Sequence, residues 1–531
     1  MEQVSPAGPD PARRRRGPAR ILLAMLVTAV LLGGAVPYVA GSAGGYLSYL
    51  VLAERQDADG AALAADQARA AGGQVVQDYP QIGAVLAYAT GAFAERLRGR
   101  PGIAAVGATR TAPVPGPPRP VDGIGDFRPA ADSADSVSRP DGASGPDATG
   151  SAERADDSTA TVPDPAEQSD WNLAMIGATE APTRFAALLR APGLAATTAR
   201  TPGAPPLPST QALHGVLVSV LDSGVDDTHP DLRSAVDPGA SASCADGRPD
   251  ARYGAWRPDP GVTESGHGTH VAGIVGAARD GHGVTGVAPG VRIAAVRLLG
   301  PLGQYYAENI VCGMLWSADH GAKAVNDSYF ADPWKYNCPE DPDQAALIAA
   351  VGRAVAYAQR QGAVVVASAG NDGQDLGSTR PDRRSPNDRL TGPAQDRLLG
   401  TECVRLPGEL PGVLTVSAVD RRGLPAGYSN YGRGRISIAA PGGDPDSGAQ
   451  GAVVSDWPGG TYAALAGTSM SAAHVTGAVA VTSAVHPDWG PQQVIDRLTG
   501  AAAAGCQRTA AVCSDPAYRE YYGAGVLVLP D

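Results

Sequence analysis

Lysine is almost missing from this 531-residue chain. Lys323 and Lys335 are the only two, and arginine supplies the rest of 42 basic residues. Set against 54 acidic residues, that leaves a formal charge of −12 and excludes the basic footprint of a general nucleic-acid binder. Aromatic residues are scarce at 5%, yet the hydrophobic fraction of 43% suffices for packed cores, and the length calls for two or more domains. No C-x-x-C pair occurs among the six cysteines, Cys244, Cys312, Cys338, Cys403, Cys506 and Cys513. Their even number in an exported chain reads as disulfides rather than metal ligands. Cys506 and Cys513 are the one close pair, and a local bridge is expected there. Cys312 sits in a helical pattern and fits a plain buried thiol as well. Internal repeats and a C-terminal membrane segment are also lacking.

Charge is absent from Ile21 to Ala53, directly after the arginine cluster "ARRRRGPAR". The run "ILLAMLVTAVLLGGAVPYVA" (Ile21 to Ala40) ends in small residues, Ala40 to Gly44, the order of a secretory signal and its cleavage site. An uncleaved anchor is the alternative, because the run is long enough to span a bilayer. Either way the body is expected outside the cytoplasm, secreted or tethered by residues 21–40, with the arginines held inside.

Residues 45–110 read as a small α+β unit. "YLSYLVLA", "QIGAVLAYAT" and "IAAVGATRT" are strands, while "DADGAALAADQARAAGG" and "GAFAERLRGRPG" are helices. Residues 111–170 are rich in Pro, Asp, Ser and Gly without periodicity, and are expected to be a disordered linker open to cleavage. From Gly215 onward, apolar runs of strand length ("GVLVSVL", "VRIAAVRLL", "AVVVASA", "GVLTVSAV") alternate with helical segments near 267–278, 309–320, 344–360 and 471–485. Such strands lack in–out alternation, as strands buried on both faces do. The pattern predicts an α/β fold with a doubly wound, mostly parallel sheet and helices on both faces, in a domain of residues 171–531. A polar insertion at about 372–410 is expected to be a surface loop.

In such sheets the working groups gather beyond the carboxyl ends of strands. Asp222 ends the first run, Asn371 follows the third in "SAGND", His267 opens a helix in "SGHGTHVAGIV", and Ser469 opens another in "GTSMSAAHVTG". Each alone reads equally well as local structure: turn formers, a structural imidazole, a helix cap. Together they are the set that acyl transfer requires. A hydroxyl needs a base to take its proton, an imidazole needs a carboxylate to fix its tautomer, and an oxyanion needs N–H donors.

These stretches resemble the aspartate, histidine, asparagine and serine motifs of the subtilase family of serine proteases, in the family's order. The resemblance covers Trp171 to about Leu498, with smaller echoes in "GVAPGVRIAAVRLL" and "YSNYGRG". It implies a serine endopeptidase with Asp222, His267 and Ser469 as the catalytic set and Asn371 as oxyanion donor. Ser328 and Gly370 are implied to bind substrate, and a protein or peptide is the implied substrate. His229, His270 and His474 are read as structural. Residues 45–110 resemble the propeptides of secreted subtilases, which implies an intramolecular inhibitor removed by self-cleavage between Thr111 and Trp171, and a monomeric product. No cofactor is required by that chemistry. Asp231 matches a position that binds calcium in some subtilases, but its partner loop "ARDGHGVTGVAP" is short and no complete calcium motif is present. Two departures stand out. Ala473 occupies a position where the family usually has Pro, and Tyr329 and Phe330 follow Ser328 where an apolar residue and Gly are usual. Phe330 is expected to narrow the cleft and restrict the residue accepted on the acyl side of the scissile bond. A membrane-anchored processing protease and a silent peptide-binding protein on the same fold are the alternative functions.

Overall fold

The computed structural model describes residues 45–127, 171–178, 206–262, 265–388, 395–448, 451–507 and 517–530. The Ile21–Ala40 run, residues 128–170 and the expected Cys506–Cys513 bridge lie outside the described residues or side chains. Among the described residues no helix is long and apolar enough to cross a membrane.

The front unit runs β1 (Leu47–Ala53), α1 (Ala58–Ala70), β2 (Gln74–Tyr79), β3 (Ala84–Ala89), α2 (Phe93–Leu97) and β4 (Ile103–Ala108). Its sheet has the order β2-β3-β1-β4 with every pair antiparallel. Asp57 caps α1 by accepting the Gly60 N–H at 2.9 Å. Ala61, Ala64, Ala65 and Ala68, spaced to share one helix face, are buried with Val51, Val85 and Phe93 in or beside the unit's core. β2 escapes the sequence reading because "QVVQDY" is half polar and only partly buried.

The body begins with α3 (Trp171–Ile176) and α4 (Thr210–His214) and then alternates. In order come β5 (Leu217–Asp222), β6 (Ala242–Ser243), α5 (His267–Gly276), β7 (Arg292–Arg297), α6 (Ala307–Asp319), β8 (Ala324–Asp327), α7 (Pro342–Arg360) and β9 (Val364–Ser368). Short strands β10 (Arg380–Asp382) and β11 (Arg397–Leu399) precede β12 (Leu414–Val419), β13 (Ile438–Pro441) and the hairpin β14 (Val453–Trp457) and β15 (Thr461–Leu465). Helices α8 (Thr468–Val485), α9 (Pro491–Gln507) and α10 (Tyr518–Tyr522) complete it. Seven strands form one parallel sheet in the order β13-β12-β9-β8-β5-β7-β6. Side chains alternate across it. Val364 and Val366 of β9 join the core formed with α5 and α8, whereas Val365 and Ala367 join the core formed with α6 and α7. The chain leaves β5 for β7 on one side and later returns as β8 on the other. The carboxyl end of β5, Asp222, therefore stands at the topological switch point.

The front unit shares its second face with α6 and α7: Leu50, Leu52, Tyr79 and Leu86 belong to the same buried cluster as Ile310, Leu315, Leu347 and Val351. Polar ties reinforce the contact. Arg353 donates to the Ala53 carbonyl at 2.8 Å, Tyr79 to the Gly247 carbonyl at 2.6 Å, and Arg110 pairs with the fully buried Glu308 at 2.6 Å.

Three expectations need correction. Residues 111–127, read as disordered, are packed. The Thr111 and Ala112 N–H groups donate to Asp388 at 2.7 and 3.1 Å, Val114 bridges Tyr46, Ile124 bridges Asp250, and the Phe127 ring meets Tyr79. Composition without periodicity does not reveal order borrowed from neighbouring backbone. The insertion at 372–410 is more than a surface loop: β10 pairs with β11, and Tyr336, Leu376, Leu399 and Cys403 form a small core there. Cys312 is not a free thiol; it is bonded to Cys244, and Cys338 is bonded to Cys403.

Candidate active site

The motifs converge at the carboxyl edge of the sheet. Asp222 is fully buried at the end of β5, and its Oδ1 lies 2.8 Å from His267 Nδ1 at the start of α5. The same oxygen accepts the Ser223 N–H at 2.7 Å and faces the Tyr305 hydroxyl at 3.4 Å. With Nδ1–H directed at a carboxylate, Nε2 is left as the basic nitrogen. Gly268 makes this pairing feasible: a Cβ there would fall 2.4 Å from the Gly224 carbonyl oxygen and 2.9 Å from Asp222 Cβ. Only glycine lets α5 pack so close to β5. Ser223 ties the two together, donating to the Ser265 carbonyl at 2.6 Å and accepting the Gly268 N–H at 2.9 Å.

Ser469 sits in the first turn of α8, where backbone N–H groups have no intrahelical partner and the dipole favours negative charge. Its Oγ–H donates to the Ser328 carbonyl at 3.2 Å in this resting arrangement. Asn371 reaches the same turn from the end of β9. Its Oδ1 accepts both the Thr468 N–H at 3.0 Å and the Thr468 hydroxyl at 2.7 Å. That fixes the amide orientation and leaves Nδ2 free to donate beside the Ser469 turn. Ser328 Oγ accepts from Asn326 Nδ2 at 2.9 Å and donates to the Ser469 carbonyl at 3.3 Å. Gly370 stands differently from Ser328. Its N–H is taken by Thr468 Oγ1 at 3.1 Å, its φ is +104°, and the surrounding wall is formed by Ser368, Asn371 and Asp372.

His267, Ser328, Asn371 and Ser469 open on one cavity of about 350 Å³. A larger groove of about 920 Å³ at the edge of the front unit carries no nucleophile or imidazole. Residues that the sequence reading missed line the cavity too: Tyr305, Lys335, Asp372, Arg384 and Arg405. Arg384 and Arg405 come from the 372–410 insertion, and no local pattern marks them. Tyr329 turns out to be a core residue, 5% exposed, stacked on Tyr305 at 4.9 Å with its hydroxyl on Asp327. Asp327 is fully buried, and burial raises its pKa to about 7 against the lowering effect of the Tyr329 hydrogen bond.

The other motif histidines are structural. His270 binds the Val453 and Ala463 carbonyls, and burial pushes its pKa down to about 3. His474 bridges the Met470 carbonyl and Asn172, with burial pushing it down to about 4. His229 gathers with Asp231 and Asp456 in a buried cluster. Its Nε2 lies 3.1 Å from the Thr461 carbonyl, and Asp231 Oδ2 accepts from Val284 N–H and the Tyr462 hydroxyl at 3.2 and 3.1 Å. Calcium needs six to eight oxygens, and two carboxylates with an imidazole do not supply that cage.

Known proteins align with this frame. The family model described as the subtilase family, Peptidase_S8, matches residues 214–525. Fervidolysin of Fervidobacterium pennivorans is 33% identical over 301 residues, 52% of this chain and 36% of that protein, so the chain spans little more than a third of that relative. Subtilisin BL of Lederbergia lenta is 31% identical over 288 residues, 54% of this chain and 83% of that protein. The solved Epidermin Leader Peptide Processing Serine Protease of Staphylococcus aureus shares the fold, with TM-score 0.60 at 18% identity, covering 92% of this chain and 97% of that one.

Proposed function

The chain belongs to the subtilase family, and from that premise we propose that it is a serine endopeptidase that hydrolyses peptide bonds through an acyl-enzyme on Ser469. The observation that carries this reading is the Asp222–His267 hydrogen bond of 2.8 Å, opening with Ser469 and Asn371 on one cavity. In the proposed mechanism the Ser469 hydroxyl redirects its proton from the Ser328 carbonyl to His267 Nε2 as Oγ attacks the substrate carbonyl carbon. Asp222 holds the imidazole in the Nδ1–H tautomer and stabilises the imidazolium. The oxyanion meets Asn371 Nδ2 and the Ser469 backbone N–H. His267 then protonates the leaving amine, and a water activated by the same nitrogen releases the acyl group. Side chains of this chain supply every proton transfer, so no cofactor enters the scheme.

The product is proposed to act outside the cytoplasm, on the strength of the arginine cluster and the Ile21–Ala40 run; retention of that run gives an anchored form. Self-processing is proposed within residues 128–170, because the 111–127 segment is tied to Asp388, Tyr46 and Asp250. None of the residues 45–127 lines the cavity beside Ser469. The front unit is proposed to act as a folding template on α6 and α7, where it packs, and as an intramolecular inhibitor until self-cleavage. The substitution Ser469→Ala tests the reading. It is expected to abolish peptide hydrolysis and to leave the chain uncut between residues 128 and 170; processing at the parent rate would overturn it.

A further inference from the structure

We propose that the cavity beside Ser469 selects an acidic side chain, aspartate or glutamate, on the residue whose carbonyl is attacked. This rests on the peptidase reading and adds its substrate class. With the carbonyl carbon at Ser469 Oγ and its oxygen toward Asn371, the adjoining side chain has to leave within a few ångströms of both groups. The cavity that Ser469 and Asn371 share is the space available to it.

That space is cationic. Lys335, Arg384 and Arg405 line it against one carboxylate, Asp372, and Asp372 is already paired with Lys335. Arg405 is decisive. It is 5% exposed, and its guanidinium carbon lies 3.2 Å from where a Cβ on Gly370 would stand, immediately behind the oxyanion asparagine. Its Nη2 donates to the Tyr329 carbonyl at 3.1 Å, while Nε is buried with no hydrogen-bond partner among the described residues. Carboxylates near it are engaged elsewhere. Glu409 accepts the Arg405 backbone N–H at 2.8 Å but pairs its charge with Arg435 at 3.2 Å and Arg380 at 3.6 Å. Asp332 accepts the Tyr305 N–H and an Asn387 N–H. Arg384 is exposed and forms no ion pair among the described residues.

Asp372, Glu409 and Asp332 act on the Arg405 guanidinium from a distance, but none forms a direct ion pair with it among the described residues, so a ligand carboxylate can still make the close contact that a buried cation favours. Arginine's fixed fork of donors suits a carboxylate in two-point contact. Phe330 sets the size. Its ring centroid is 5.0 Å from the Arg405 guanidinium and 5.9 Å from Lys335 Nζ, so it packs against both cations and fills space that a smaller residue would leave open. A lysine or arginine side chain entering here would meet like charge. A large apolar one would bring no counter-charge to Arg384 and Arg405.

The test uses the purified full chain and fluorogenic peptides identical except at the acyl-side residue, which is Glu, Asp, Gln, Asn, Leu, Ala or Lys. The expected result is a kcat/KM for Glu or Asp on the order of a hundredfold above the isosteric amide, with Lys the poorest. Arg405→Gln is expected to remove most of that ratio, and the exposed Arg384→Ala to narrow it severalfold if the buried variant fails to fold. Cleavage that is lost in Ser469→Ala but is equal across the panel, or favours Leu or Lys, overturns the acidic pocket while the peptidase reading stands. Reaction of Ser469 with a fluorophosphonate without cleavage of the Glu or Asp peptide also overturns the pocket alone. No labelling and no cleavage overturns both.

Discussion

Replacing Asp327 by asparagine should make the protein more stable, and increasingly so as pH rises. Asp327 lies at the end of β8, fully buried, with its Oδ1 on the Tyr329 hydroxyl and its Oδ2 without a hydrogen-bond partner among the described residues. Burial moves its pKa from 3.8 to about 7. A carboxyl group whose folded pKa is raised contributes stability in full below its unfolded value and loses it as pH rises through the folded value. At 1.36 kcal/mol per unit of pKa, the full penalty above pH 7 is about 4 kcal/mol, and the portion between pH 5 and 8.5 is roughly 2–3 kcal/mol. Asparagine has the shape of the protonated acid, can still accept the Tyr329 hydroxyl, and carries no charge. The assay is urea unfolding of Ser469→Ala and of Ser469→Ala/Asp327→Asn, a background in which proposed self-digestion cannot interfere, at pH 5 and pH 8.5. The double variant is expected to gain about 2–3 kcal/mol on its parent between the two conditions. Parallel stability profiles would refute the reasoning, because they would mean that Asp327 ionises in the fold as easily as in water.

Four further outcomes follow from the geometry. Asn371→Leu should lower kcat on the order of 10²–10³ with little change in KM, a range borrowed from the equivalent donor in a subtilisin, and steady-state kinetics would show it. Gly268→Ala should cost activity far more than its single methyl suggests, because the added Cβ has only the Gly224 carbonyl and Asp222 to displace; kcat and the downfield imidazole proton resonance of His267 report it. Arg110→Met should destabilise by about 3–5 kcal/mol, since it leaves the buried Glu308 unpaired, whereas Arg110→Met with Glu308→Gln should recover much of that in thermal melts. After processing, the front unit should co-purify with the body through the shared core on α6 and α7, a result that gel filtration followed by mass spectrometry can check.

The legible part of this molecule was the part written in local pattern. β5, β7, β9 and β12 are mostly apolar runs of strand length, and the helical segments between them are long and mostly built of good helix formers, so their existence follows from the sequence. Asp222, His267, Asn371 and Ser469 stand in long motifs with a fixed order, which is why their neighbourhood could be named in advance. β8 and β13 were missed because four residues each, with Asn326 and Asp327 in one and Pro441 in the other, give no strand signal. The acidic-side-chain pocket was illegible for another reason. Lys335, Arg384 and Arg405 are scattered across 71 positions and meet only because the 372–410 insertion folds back over the end of β8. The sequence shows Phe330 only as a bulky residue beside the cleft; its packing against Lys335 and Arg405 is a tertiary fact. Residues 111–127 illustrate the converse error, since a Pro-rich segment without periodicity can still be ordered by the hydrogen bonds of its neighbours.

The central claim is that Asp222, His267 and Ser469 work as one proton-passing set on a nucleophilic hydroxyl. Mass spectrometry of the purified chain after reaction with a fluorophosphonate tests it most directly. A single adduct on Ser469 that disappears in His267→Ala is the predicted result; no adduct, or one that forms equally fast without the imidazole, would contradict it.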